Sequence, residues 1–246
     1  MRLDLFLVQS GYISSRSKAK ELIEKGSVLV DGKKIQKPSF MVEESAKVTL
    51  KAEDICPFVS RGGIKLDYAL KTFQISVKDK VCLDIGASTG GFTDCMLQSG
   101  ASHVYALDCG RDQLHATLLK DERITVLEGY NAKQLNPTDF SALPTFVSID
   151  VSFISQTLIL PSLFALLPFG SEIVSLIKPQ FELTKSSLSK KGIVKSEKDR
   201  QLAIEKVKNC IITLGFTYKN LTPSPIFGGD GNAEYLIYFS KDKKEF

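Results

Sequence analysis

The stretch over residues 81–94 constrains this chain more than any other. An apolar run interrupted by one acid, Asp84, leads into Gly86, Gly90 and Gly91, after which Phe92, Met96 and Leu97 take up helical spacing. The pattern predicts a buried strand, a tight turn and a helix. Glycine lets the backbone approach a ligand closely, and a helix N-terminus offers amide N–H groups that have no intrahelical acceptor. Ser88 and Thr89 are placed to cap that helix or to bind a polar ligand. The plainer alternative is a tight strand-to-helix connection with no ligand.

The spacing discriminates between nucleotide cofactors. A dinucleotide fingerprint, G-x-G-x-x-G, grips a diphosphate, whereas the order here is D-x-G-x-x-x-G-G. An acid two residues before the first glycine repels phosphate and attracts an ammonium group, which favours S-adenosylmethionine (SAM) over NAD. A second strand ends in Asp108, about twenty residues beyond the turn, where a carboxylate suits the two hydroxyls of an adenosine ribose. The residues expected to hold the cofactor are Asp84, Gly86, Ala87, Ser88, Thr89, Gly90, Gly91, Phe92, Asp108 and Asn131.

A chain of 246 residues has room for one large α/β domain and a small one. From residue 81 apolar strands alternate with helical segments, which predicts a doubly wound, mostly parallel sheet with strands at 81–85, 104–108, 124–128, 146–151 and 173–177. A helix over 197–214 and strands over 216–221 and 235–239 follow. Upstream, a helix over 60–73 has Ser60 as its expected cap. The first fifty residues read as two helices, the second capped by Ser15 and stopped by Gly26, then a hairpin at Asp31-Gly32 and a further short strand. The expected division is a small α+β domain over 1–52, a linker over 53–59 and the α/β domain over 60–246.

Charge separates the two parts. Residues 1–52 hold ten Lys or Arg against six Asp or Glu, and the remainder holds 22 of each, so the net +4 sits in the first fifth of the chain. A local basic excess on a small module is the footprint of a polyanionic partner, although a solvated helix face gives the same count. The longest apolar run, 158–169, is short and contains prolines, and no leader pattern opens the chain. These features predict a cytoplasmic protein, taken to be monomeric, that does not engage a membrane. Five cysteines without a C-x-x-C pair give no disulfide set, and no metal site is expected.

In a parallel sheet, ligands bind beyond the carboxyl ends of the strands. Four charged residues fall at element ends expected to converge there: Lys65, Asp150, Lys178 and Glu234. SAM carries an activated methyl group, so the protein has only to align an acceptor and remove its proton. Lys178 is the candidate base, Lys65 the neighbouring cation, and Asp150 and Glu234 the groups that orient the amines. A lysine serves as base only if burial and a second cation lower its pKa. Ordinary ion pairs at a sheet edge are the alternative. The polar stretch over 181–194, directly after Lys178, reads either as a surface loop without fixed structure or as a substrate-gripping flap.

Two sets of motifs then point to known families. Arg2-Leu3-Asp4, the S-R-x-x-A-x-x-L-I pattern that begins at Ser15, and the V-x-V-D-G hairpin resemble the S4 RNA-binding domain. That resemblance implies that Arg16, Lys18, Lys20, Lys33 and Lys34 contact RNA phosphates, and Arg2 and Arg61 are counted with them. Ser60-Arg61-Gly62 with Lys65, Asp84 to Thr93, Asp150 to Ser155, Lys178 to Glu182, and Gly231-Asn232-x-Glu234-Tyr235 resemble the TlyA-type, or haemolysin-A-like, ribosomal RNA 2′-O-ribose methyltransferases. What this implies is an S4 domain joined to an FtsJ-like SAM-dependent domain, a catalytic tetrad on Lys65, Asp150, Lys178 and Glu234, and a cytidine ribose of ribosomal RNA or a ribosomal subunit as substrate. The short ends resemble the subgroup that acts on the large-subunit (23S) RNA. One departure is Asp112, where the family has glycine, which puts the shape of that loop in question. Three rival functions are a base methyltransferase, a non-catalytic assembly factor that uses only the S4 module, and a pore-forming haemolysin.

Overall fold

The computed structural model describes residues 1–13, 15–43, 45–51 and 56–243. Residues 52–55, the last of the expected first domain and the start of the expected linker, lie outside the described residues. The chain divides into two compact units, Met1–Pro57 and Phe58–Phe246.

In the first unit, Leu3, Leu7, Ala19 and Ile23 recur at helical spacing and are buried with Val28, Val30 and Val48 in a small core of their own. Helices α1 (Leu3–Gln9) and α2 (Arg16–Lys25) supply the first four. The Ser15 hydroxyl accepts from Lys18 N–H, and Gly26, at φ 80°, ends α2 in the left-handed region. Strands β1 (Val28–Val30) and β2 (Lys33–Ile35) pair antiparallel around Asp31 and Gly32, both at positive φ, as a two-residue hairpin requires. Strand β3 (Val48–Leu50) pairs with the other edge of β1. The buried Asp4 carboxylate accepts from Arg2 at 3.0 Å and from Arg16 at 2.9 Å. These hydrogen bonds, that from Arg2 foremost, hold its pKa well below the usual carboxylate range. Lys20, Lys33 and Lys34 are exposed, Lys18 is half-buried, and the stem of Lys34 lies across Gly26.

The second unit opens with α3 (Gly62–Phe73). The expected cap at Ser60 is displaced: Arg61 is the N-cap, in helical conformation, and Ser60 contributes its carbonyl, which accepts from Gly63 N–H. Then follow β4 (Val81–Ile85), α4 (Gly91–Gln98), β5 (His103–Asp108), β6 (Ile124–Glu128), β7 (Phe146–Ile149), α5 (Leu160–Leu166), β8 (Ser171–Ile177), α6 (Pro179–Glu182), α7 (Glu197–Leu214), β9 (Thr217–Pro223) and β10 (Tyr235–Lys241). They form one seven-stranded sheet in the order β6-β5-β4-β7-β8-β10-β9, in which β10 runs antiparallel to both neighbours and the pairs from β6 to β8 are parallel. The chain winds outward from β4 to β6 in one direction and from β7 to β8 in the other. The crevice between β4 and β7 is therefore the switch point where such sheets bind ligands.

Leu83, Ile85, Val147, Ile149 and Ile173 pack with Leu160 and Leu163 of α5 and Val207 and Ile211 of α7 in the main core. Helix α3 packs on α4, and each buries an apolar face. The alternation of strand with helix fails between β5 and β7, where the links hold 3-10 turns at Leu118–Lys120, Ala132–Gln134 and Pro137–Asp139. The side chains of Asn131 and Asn136 accept from N–H groups two residues on, which closes short turns in place of helices. Asp112 takes the left-handed conformation, φ 56°, that glycine adopts freely, and the Glu128 carboxylate accepts from Asp112 N–H and Gln113 N–H.

One prediction concerns the first unit. The Asp4 ion pairs stabilise it at neutral pH, and that contribution is lost as pH falls below the unfolded value of 3.8 towards the folded one. Asp4→Asn should lower the stability of this unit by about 1–3 kcal/mol at pH 7, measured by urea unfolding with NMR signals from residues 1–50 of the full chain. The difference from wild type should shrink progressively below about pH 4.

Candidate active site

Two adjoining cavities open at the carboxyl ends of the central strands, and Gly86, Ser88, Asp150 and Ser152 line both. The glycine turn separates them. Gly86 N–H and Ala87 N–H both donate to Leu107 O, at 2.8 and 3.0 Å, and Asp150 N–H donates to Ile85 O at 2.9 Å. A Cβ on Gly86, itself at φ 87°, would lie 2.4 Å from the Asp150 carbonyl oxygen, so only glycine fits. Gly90, the N-cap of α4 at φ 91°, makes room instead for Leu114 and Leu118. Gly91 is needed because a Cβ there would meet Ser60 Oγ at 2.2 Å, which seats the start of α3 against the turn. Ser88 and Thr89 do not cap α4, which has no side-chain cap.

The first cavity, about 370 Å³, runs over β4 and β5. Leu107, Ala132, Val151 and Ile159 make its walls apolar, and Asp108, Asn131 and Tyr130 contribute polar atoms. The Asp108 carboxylate accepts from Ser88 N–H at 2.8 Å and from Gly110 N–H at 2.7 Å, which fixes its direction. Asp84 lines neither cavity. Its carboxylate lies fully buried beneath the turn and accepts from Thr93 Oγ1 at 2.7 Å and Ser148 Oγ at 3.0 Å. Burial pushes its pKa up to about 7.

The second cavity, about 280 Å³, brings Lys65, Asp150 and Lys178 together, with Ala87, Thr89, Gly91 and Phe92 of the turn on its wall and Arg61 on its rim. Lys178, the N-cap of α6, places Nζ 2.6 Å from Asp150 Oδ1 and donates to Ser152 Oγ at 2.9 Å. Lys65, on the buried face of α3, lies 2.5 Å from Glu234 Oε2. Glu234 stands just before β10 and is 4% exposed; it does not line the cavity itself but holds Lys65, which does. A Cβ on Gly228 would come within 2.5 Å of its Oε1, so that glycine is its seat. The tetrad is thus two ion pairs, one at the end of β7 and β8 and one bridging α3 to β10.

Sequence reasoning passed over three residues that support this arrangement. Ser152 gives Lys178 a second partner. Glu182, buried in α6, accepts from Ser155 Oγ and from Gln156 N–H at 2.9 Å, with Lys206 Nζ at 3.4 Å, and so fastens the segment after Lys178 to the loop after Asp150. Phe153, at φ 64° and 92% exposed, sets its ring against Phe181 beside the first cavity, the two planes tilted by 52°. Ser152 and Glu182 stand inside the quoted motifs, where the signal was available. Residues 181–194 are folded: a 3-10 turn covers Lys185–Ser187, and Ser189 N–H donates to Ile193 O.

Residues 58–241 match the FtsJ-like methyltransferase family and residues 1–48 the S4 domain. The chain is 39% identical, over 96% of its length and 88% of the relative's, to the 16S/23S rRNA (cytidine-2′-O)-methyltransferase TlyA of Mycobacterium tuberculosis. The chain belongs to the TlyA-type FtsJ-like methyltransferases. A second TlyA-type relative, the 23S rRNA (cytidine-2′-O)-methyltransferase of Campylobacter jejuni, is 36% identical over 98% of this chain and all of its own. A solved structure described as a hemolysin from Streptococcus thermophilus shares 42% identity and a TM-score of 0.78, covering 99% of this chain and 89% of that one. Among the described residues of this TlyA-type chain, no helix is long and apolar enough to cross a membrane.

Asp84 gives a pH test. With its pKa raised from 3.8 to about 7, the folded state binds a proton that the unfolded state has released, so this group lowers stability as pH rises through that window. Asp84→Asn should gain stability relative to wild type between pH 4 and 7 and hold a constant difference above that, read from urea midpoints at each pH.

Proposed function

We propose that this chain transfers a methyl group from SAM to the 2′-oxygen of a cytidine ribose in ribosomal RNA, with large-subunit 23S RNA as the substrate. The observation that carries the reading is the placement of Lys65, Asp150 and Lys178 around one cavity that shares its glycine wall with a second, nucleoside-sized one. The first cavity suits SAM: apolar walls for an adenine, and Asp108 directed by two N–H groups towards where ribose hydroxyls would lie. Asp84 acts there by fixing the turn from below. Bound in this site, SAM supplies a methyl group already activated by its sulfonium.

The chain's own residues then have an alignment and a proton to manage. For the transfer, the Lys178 ammonium that pairs with Asp150 first gives up a proton to solvent; its Nζ then takes the proton of the 2′-hydroxyl and returns to ammonium. Asp150 and Ser152 hold that nitrogen in place before and after transfer. Lys65, anchored by Glu234, faces the oxygen and stabilises the charge that develops on it. Arg61 on the rim meets a phosphate of the bound strand. The exposed ring of Phe153 offers a stacking face to a base drawn out of the RNA. The first unit supplies general RNA affinity through Arg2, Arg16, Lys18, Lys20, Lys33 and Lys34, with Asp4 setting the two guanidinium groups.

Labelled SAM and ribosomal subunits that lack the modification test this. Wild type should yield a methylated nucleotide whose linkage resists alkali, as 2′-O-methylation requires; methylation of a base would contradict the reading. Lys178→Ala should reduce transfer by at least about 100-fold, with RNA and S-adenosylhomocysteine affinity nearly unchanged.

A further inference from the structure

The mechanism leaves unused a side chain two residues before Glu234. Asn232 is 1% exposed, yet every polar atom of its amide is committed to backbone of a distant segment. Its Oδ1 accepts from Val194 N–H at 3.0 Å, and its Nδ2 donates to Gly192 O at 3.1 Å. Its own carbonyl accepts from Gly228 N–H at 2.9 Å, and Gly231 N–H donates to Gly228 O at 2.9 Å, which closes the loop over residues 224–234 upon itself. Ser224 N–H donates to Glu234 O at 2.8 Å at the base of that loop. This one loop supplies Ile226, Phe227 and Gly229 to the rim of the acceptor cavity, and it seats the Glu234 carboxylate over Gly228.

The segment that Asn232 grips is held from its other side as well. Arg200 of α7 donates from Nη1 to Val194 O at 3.2 Å and to Lys195 O at 2.9 Å. Val194 is 3% exposed. Residues 192–195 are therefore a fixed strut between α7 and the loop of Glu234. A buried amide that makes one donor and one acceptor contact to two backbone groups specifies a position more sharply than an apolar side chain, because displacement in either direction leaves a buried polar group unpaired.

We propose that Asn232 is a positioning residue for methyl transfer: through the strut at residues 192–194 it sets the loop that holds Glu234 against Lys65. The proposal rests on the function given above and adds a residue that never touches the reacting atoms. It explains why an asparagine precedes the acid in the Gly231-Asn232-x-Glu234 motif. Alanine removes both contacts. Aspartate, of nearly the same shape, keeps the contact from Val194 N–H and sets a second acceptor against Gly192 O.

The test is single-turnover transfer of labelled methyl to ribosomal subunits that lack the modification, for wild type, Asn232→Ala, Asn232→Asp, Glu234→Gln and Asn232→Ala with Glu234→Gln. S-adenosylhomocysteine affinity and thermal midpoint are measured alongside. The expected result is a rate about 10- to 100-fold lower for both Asn232 variants, with S-adenosylhomocysteine affinity within about twofold of wild type. The double variant should be no slower than Glu234→Gln alone, since both changes disable one unit. A merely structural role would lower the thermal midpoint and multiply with Glu234→Gln, which would overturn the proposal. So would a wild-type rate in either Asn232 variant. Should Asn232→Ala fail to fold, the same comparison is made with Asn232→Asp in its place. An inactive wild type would contradict the function itself, whereas an active wild type with an equally active Asn232 variant would contradict this inference alone.

Discussion

The approach of Gly86 to the backbone of Asp150 is the contact on which the site depends. At that point the ends of β4, β5 and β7 meet: the turn donates two N–H groups to Leu107 O, and β7 returns one to Ile85 O. No side chain fits between, since a Cβ at residue 86 would sit 2.4 Å from the Asp150 carbonyl oxygen, just past the carboxyl end of the central strand β7. Because the turn lies so low, two cavities can share one wall. The sulfonium side of a bound nucleoside and the ribose of an incoming RNA are thereby brought within reach of one another in the proposed mechanism, with no moving part required.

Around that contact the charged groups are arranged by elements that end there. Helix α3 delivers Lys65 because Gly91 and Gly63 admit the neighbouring chain without a side chain in the way, the latter against the ring of Phe58. Lys178 arrives on the last residue of the β8 connection, where Pro179 stops the strand and starts α6. Each lysine keeps its own carboxylate, which divides four ionised groups into two neutral pairs. The low exposure of Lys65 with Glu234 and of Lys178 with Asp150 is tolerable for that reason, because an unpaired charge at either place would be costly.

Much of this was legible in the sequence, and the reasons differ by element. The parallel strands announced themselves as apolar runs bounded by Gly and Asp, and the Ser15, Ser196, Gly26 and Gly215 boundaries follow from capping chemistry that is local. The absence of helices between β5 and β7 was not legible, because periodicity does not report the competition from Asn131 and Asn136 side chains. The cap of α3 was misplaced for a related reason: the first turn there is set by packing of residues 60–63 on Gly91. Among the candidate residues, the strand-end rule pointed to Asp108, Asn131, Asp150 and Lys178, each of which lines at least one of the two cavities. The charge argument from the glycine spacing placed Asp84 beside the ligand, whereas burial puts it beneath the turn and outside both cavities. Asn232 and Glu182 stand inside the quoted motifs, but the partners they hold are distant in the chain, so no spacing reveals what either one does.

In the proposed function the cavity over β4 and β5 holds the methyl donor while the cavity at Lys65 and Lys178 receives the acceptor. A crystal structure of the chain with S-adenosylhomocysteine tests it most directly. The ribose hydroxyls are expected on Asp108, the adenine among Leu107, Ala132 and Ile159, and the sulfur at the Gly86 wall facing Asp150 and Lys178. A ligand seated elsewhere, or one with its sulfur turned away from Lys178, would contradict it.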